Sequence, residues 1–91
     1  MASHKSAVKA HRQSLKRRTR NRTVKGSVRT ALKRTRTQIE DGELDSAKES
    51  MQVAISRLDM AAKKGVIHPN NAARRKSRLM RQYNQAAAQN S

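Results

Sequence analysis

The stretch DGELDSAKESMQVAISRLDMAAKKG, residues 41–65, decides how the chain folds. Leu44, Ala47, Met51, Ala54, Ile55, Leu58 and Ala62 recur in it at steps of three and four, with one adjacent pair, which stacks them along one side of a helix. Both ends are punctuated. Asp41-Gly42 opens the stretch and provides a cap for this helix, from Asp41 or from Gly42, and Glu43 and Asp45 sit where the positive end of the helix dipole favours carboxylates. Lys63-Lys64-Gly65 closes it with cations in the last turn and glycine just beyond, and Val66 follows as the apolar partner of a glycine C-cap. The other side, Asp45, Glu49, Gln52 and Ser56, is polar and is expected to face solvent.

Toward the N-terminus, Val24, Val28, Ala31, Leu32, Thr35 and Ile39 form a second stripe of the same period, predicting a helix that ends at Asp41-Gly42. Gly26 lies inside that pattern, where glycine costs about 1 kcal/mol relative to alanine, so it marks either a close backbone approach or a break. Before Val24 only Val8 and Leu15 are large and apolar, and Leu15 falls half a turn away from Val24. Residues 1–22 are therefore expected to project from the folded body as a basic arm with no hydrophobic face. Such an arm is largely disordered alone and becomes helical on a partner.

Toward the C-terminus, Pro69 after Ile67-His68 suits a first helical position, because its missing N–H would have no partner there anyway. Ala72, Leu79, Met80, Tyr83 and Ala87 make the inner side of a third helix, with Arg74, Arg78 and Arg81 opposite. Lys76 projects into the middle of the apolar stripe and is expected to snorkel past the edge of a short core. Residues 85–91 are small and polar and are expected to fray. Three helices with two short connections predict an all-α fold, an antiparallel three-helix bundle with an extended N-terminal helix, in one domain spanning residues 1–91.

Charge supplies the functional lead. The chain has 91 residues, and 22 Lys and Arg stand against 6 Asp and Glu, giving a formal net charge of +16. Low hydrophobicity with high charge can also signal disorder, but all six acids fall after residue 39, interleaved with regular apolar positions. Up to residue 36 there are 13 cations and no acid. Most fall in two rows: Lys5, Lys9, Arg12, Lys16 and Arg20 along one line, and Arg18, Arg22, Lys25, Arg29, Lys33 and Arg36 along another. From Lys16 to Arg18 the rotation is about 200°, which puts the rows on nearly opposite sides of one rod. A single flat partner would need one row, so the arm is expected to lie between two nucleic-acid segments and neutralise phosphate on both.

Arginine outnumbers lysine, which suits bidentate phosphate binding on folded RNA. With no Phe or Trp and one Tyr, stacking on splayed single strands is disfavoured, and Tyr83 is assigned to the core. Met51 and Met80 read as core filler. His4, His11 and His68 have no ligand spacing, and no nucleophile is paired with a base, so neither catalytic residues, metal ligands nor a cofactor are expected. His68, beside Pro69 and Asn70, suits helix capping or RNA contact equally. No run approaches the roughly 20 apolar residues of a membrane span, and cysteine is absent. A nucleoid-associated DNA binder would share the charge, but there is no heptad seam for a dimer and no recognition helix. A membrane-active cationic peptide would need a large apolar face that the arm lacks.

Two stretches resemble a known family. Lys5-Ser6-Ala7, then Lys16-Arg17-Arg18-Thr19-Arg20-Asn21 and Ser27-Val28-Arg29-Thr30, looks like the opening of the bacterial small-ribosomal-subunit protein S-twenty family. Ile67-His68-Pro69-Asn70-Asn71-Ala72-Ala73-Arg74-Arg75-Lys76-Ser77-Arg78-Leu79 resembles that family's C-terminal signature, the more specific of the two. The resemblance implies a monomer within the ribosome, bound directly to small-subunit ribosomal RNA and bridging its 5′ domain and long penultimate stem beside other ribosomal components. The location it implies is the bacterial cytoplasm or a plastid. It implies RNA contacts at Lys5, Lys16, Arg17, Arg18, Arg20, Asn21, Ser27, Arg29, Thr30, His68, Asn70, Arg74, Lys76, Ser77 and Arg78. Lys9, Arg12, Arg22, Lys25, Lys33, Arg34, Arg75 and Arg81 complete the candidate RNA-binding set by charge and position. Gly26 and Pro69 depart from the family pattern, which often has a better helix former and a basic residue there.

Overall fold

Two glycines set the topology. Gly42 and Gly65 have φ of 78° and 76°, a left-handed conformation that side chains disfavour, and each follows a helix by two residues. In the computed structural model, which describes residues 2–89 and the side chains of residues 7–89, those helices are α1 (Ala2–Glu40) and α2 (Leu44–Lys63). At the end of α1 the Glu43 N–H donates to the Gln38 carbonyl (2.9 Å) and the Gly42 N–H to Ile39 (3.1 Å). At the end of α2 the Val66 N–H donates to Ala61 (2.9 Å) and the Gly65 N–H to Ala62 (3.0 Å). The same paired closure thus satisfies the last carbonyls of both helices and turns the chain back each time. Pro69 opens α3 (Pro69–Gln89) as expected. The result is an all-helical, up-and-down arrangement with no strand among the described residues.

One expectation about α2 fails. Its N-cap is Glu43, which makes no side-chain capping bond, so neither Asp41 nor Gly42 caps it. Both residues are occupied in ending α1, and a three-residue turn leaves no room for a separate cap.

The core consists of Val28, Ala31, Leu32 and Ile39 from α1, Ala47, Ala54, Leu58 and Ala61 from α2, and Ala72 and Leu79 from α3. Val24, Met51, Ala62, Val66, Ile67, Tyr83 and Ala86 pack around it. Half of the buried apolar residues are alanines, so the helices approach closely but each residue withdraws little area from water. The one buried polar residue among those described, Thr35, donates from Oγ1 to the Ala31 carbonyl at 2.9 Å and so leaves no unpaired hydroxyl.

Four details differ from the sequence expectation. Met80 is 40% exposed, because α3 turns Leu79, Tyr83 and Ala86 inward, and the next residue along lies 100° round the helix. Ala61, one step from the predicted Ala62, is fully buried. The α3 helix runs on past Gln85 to Gln89, held by Ala86 against the core. At Gly26 α1 is unbroken, and nothing lies within 4 Å of where a Cβ would stand, so the glycine marks neither a break nor a close approach within the chain. Lys76 does sit half-buried in the stripe, with its Nζ 3.8 Å from Asp59 Oδ2 on α2.

The molecule measures 70 × 21 × 14 Å, with a radius of gyration of 18.0 Å against about 12 Å for a compact chain of this length. The excess comes from α1, whose 39 residues span about 58 Å while α2 and α3 span roughly half of that.

Candidate nucleic-acid interface

From residue 7 to residue 22 every residue except Asn21 is exposed. Val8 and Leu15 are 42% and 45% exposed, so even the apolar residues of the arm cover nothing. Two threonines turn back onto their own helix, Thr19 Oγ1 donating to the Leu15 carbonyl and Thr23 Oγ1 to the Thr19 carbonyl, both at 3.0 Å. The cations project freely. Lys9, Arg12, Lys16 and Arg20 of the first row and Arg18, Arg22, Lys25, Arg29, Lys33 and Arg36 of the second are all exposed, as are Arg17 and Arg34. Among the described residues none has a carboxylate partner within ion-pair distance, since the one ion pair found joins Lys76 to Asp59. The Lys5 side chain lies outside the described residues.

The fold adds what the rows alone do not contain. A groove of about 630 Å³ runs along one side of α1 past Arg18, Arg22, Lys25 and Arg29. A second, between α1 and the start of α3, is lined by Lys25, Arg29, Ile67, Asn71 and Arg75, and a third by Arg29, Lys33, Arg36, Glu40 and Arg75. Because Arg29 and Arg75 line both of these, the second row of α1 meets Arg75 of α3 in one predominantly basic seam, with Glu40 in its lining. Arg75 is held there by its Nε, which donates to Asn71 Oδ1 at 2.9 Å and leaves its terminal nitrogens free. Asn71 is absent from the set expected from the sequence, although its position four residues before Arg75 on one helix face is a readable signal.

Other predicted contacts do not line this seam. Thr30 and Arg34 line a groove between α1 and α2 together with Glu49, Val53 and Arg57, where an acid shares the surface. Ser27 is half-buried, and its carbonyl accepts from Arg57 Nη1 at 3.3 Å, a tie from α2 to α1 that no periodicity argument could reveal. Ser77 and Arg81 line a groove along α3 with Met80 and Gln85. Asn70, Arg74 and Arg78 are exposed. Lys76 leans toward α2 and its carboxylate partner rather than outward. His68 caps α3: its Nδ1 accepts from the Asn70 N–H at 3.1 Å while its carbonyl accepts from the Ala72 N–H, and the residue is otherwise exposed.

Among the described residues no group of three or more acids or histidines is placed to hold a metal ion, and no helix is long and apolar enough to cross a membrane. Fold and surface together define a small, strongly basic, all-helical protein whose described α1 cations are presented rather than paired. The chain belongs to the ribosomal protein S20 family, whose sequence profile matches residues 2–84. It is 51% identical over 84 residues to the small ribosomal subunit protein bS20 of Thermomicrobium roseum, covering 92% of this chain and 85% of that protein. It is 46% identical to the protein of the same name from Bacillus mycoides, over 92% of this chain and 99% of that one. For the Oleidesulfovibrio alaskensis protein the identity is 49%, over 87% and 91%.

Proposed function

We propose that this chain is a non-enzymatic, structural constituent of the small ribosomal subunit that binds small-subunit ribosomal RNA directly and holds two RNA segments in fixed relation. One observation carries the reading: exposed cations stand on nearly opposite sides of a helix with no acid paired to them. Thirteen like charges on one rod repel each other, and polyanion on both sides removes that repulsion while releasing condensed counterions. The two segments are the 5′ domain and the long penultimate stem, as the family resemblance implies, and the protein acts there as a monomer beside other ribosomal components. The relatives named are bacterial ribosomal proteins, so the bacterial cytoplasm, on the ribosome, is its place.

Phosphate contacts position a protein on RNA without reading sequence, so the specificity comes from the shape in which two RNA segments meet the two rows. Arg29, Lys33, Arg36 and Arg75 form the part of the surface that ties the arm's register to the body. Competition between small-subunit ribosomal RNA and duplex DNA at equal salt tests the reading. Preference for the ribosomal RNA is expected, and preference for DNA would replace it with a nucleoid role.

A further inference from the structure

Among the described arginines, Arg75 alone is fixed by another side chain: its Nε donates to Asn71 Oδ1 at 2.9 Å, across one turn of α3. Arg57 donates to a backbone carbonyl, and the arginines of residues 7–22 are all exposed without a hydrogen-bond partner among the described residues. Asn71 is half-buried and Arg75 exposed, and both line the groove between α1 and α3 that Lys25 and Arg29 line from the other helix. A free Arg75 would be pushed outward by those two like charges. The amide of Asn71 holds it against that push without cancelling its charge, whereas a carboxylate at residue 71 would hold it and neutralise it.

We infer that Asn71 is a positioning residue: it sets the Arg75 guanidinium in the angle between α1 and α3 so that its two terminal nitrogens meet one phosphate end-on. The inference rests on the proposed binding to ribosomal RNA. A guanidinium can take a phosphate side-on, through Nε and one terminal nitrogen, or end-on, through both terminal nitrogens. With Nε engaged by Asn71 the side-on edge is closed and the end-on edge remains. Arg75 is therefore oriented before RNA arrives, while the arginines of the arm must be ordered as they bind. Asn71 touches no phosphate in this arrangement and acts through Arg75, on the part of the molecule that the core already holds rigid.

The test measures the affinity of the full chain for a transcript of small-subunit ribosomal RNA over a range of salt, in the parent, Asn71→Ala, Arg75→Ala and the double variant. Asn71→Ala should weaken binding about threefold to fivefold at fixed salt, because the released Arg75 side chain must then be ordered on binding. Its salt slope should equal the parent's, since every cation is still present. Arg75→Ala should weaken binding about tenfold and flatten the slope by about 0.7–0.9, for one phosphate no longer neutralised. On that background Asn71→Ala should change affinity by less than about 1.5-fold. Melting of the free protein should stay within about 4 °C of the parent in all variants, as a lost surface hydrogen bond is offset by the better helix propensity of alanine. Parental affinity in Asn71→Ala would overturn the inference. So would an equal loss on both backgrounds, because Asn71 would then act without Arg75. If Arg75→Ala binds like the parent while the paired variant Arg18→Ala, Arg22→Ala is weakened, RNA binding stands and the positioning role falls; if the parent itself does not prefer ribosomal RNA over duplex DNA, the function beneath both falls.

Discussion

Residues 7–22 and residues 24–40 belong to one helix, but they are held by different forces. In the second stretch Val28, Ala31, Leu32, Thr35 and Ile39 are buried against α2 and α3, so the helix is a by-product of burying apolar surface. In the first, no large apolar side chain is covered, and the cations on both flanks repel one another along the rod. A continuous hydrogen-bond ladder therefore conceals a steep gradient in local stability. The body is stabilised by packing within the chain, and the arm is expected to depend on what it binds.

Hydrogen exchange on the free protein is where the contrast should be widest. Amides of residues 7–20 are expected to exchange nearly as fast as in an unstructured chain. Those of Leu32, Ala54 and Leu58 should be slowed on the order of a thousandfold or more. Strong protection of the arm without RNA would erase the distinction, whereas protection appearing only with RNA would sharpen it.

Mutations on the two sides should then fail differently. Leu58 is fully buried, and Leu58→Ala is expected to destabilise the body by about 2–5 kcal/mol, enough to unfold much of so small a core, as read by thermal or urea melting. Replacing Arg18 and Arg22 together with alanine should leave melting unchanged or slightly raised. It should flatten the dependence of log affinity on log salt by about 1.4–1.8, at 0.7–0.9 for each phosphate that is no longer neutralised. Should that double variant melt well below the parent, the arm would be part of the folded body after all. His68→Ala removes the acceptor for the Asn70 N–H and is expected to lower stability by about 0.5–1 kcal/mol, a shift of a few degrees on melting. The smallest effect belongs to Glu49→Gln on α2, whose salt slope should equal the parent's, since no phosphate-binding cation is removed.

Much of this organisation was legible in the residues. The stripe from Val24 to Ile39 contains every buried residue of α1, and the glycines after Lys64 and Asp41 were readable as helix terminators. Where the reading slipped, it slipped by one residue or by one role. Met80 and Ala61 differ from expectation because a thin core of alanines meets its neighbours over a narrow strip, and a step of 100° decides between burial and exposure. The capping assignment failed for a different reason: two helices compete for the same three-residue turn, and the left-handed Gly42 serves the one before it.

The candidate site divides in the same manner. Both basic rows follow from periodicity within one helix, because 3.6 residues per turn fixes the angle between any two side chains on a single rod. Which cations of different helices converge does not follow from it, since the rotation of α3 about its axis relative to α1 depends on how Ala72 and Leu79 pack into the shared core. That packing joins Arg75 to Arg29, turns Lys76 toward Asp59, and leaves Thr30 and Arg34 beside Glu49. The sequence by itself determined that the chain is helical, that α1 and α2 end at Gly42 and Gly65, and that its charge calls for a polyanion, because these depend on local conformation and net charge. Only the tertiary structure decided which basic residues form one continuous surface, and that the space beside Gly26 is filled by nothing in the protein, because both are relations between atoms far apart along the chain or absent from it.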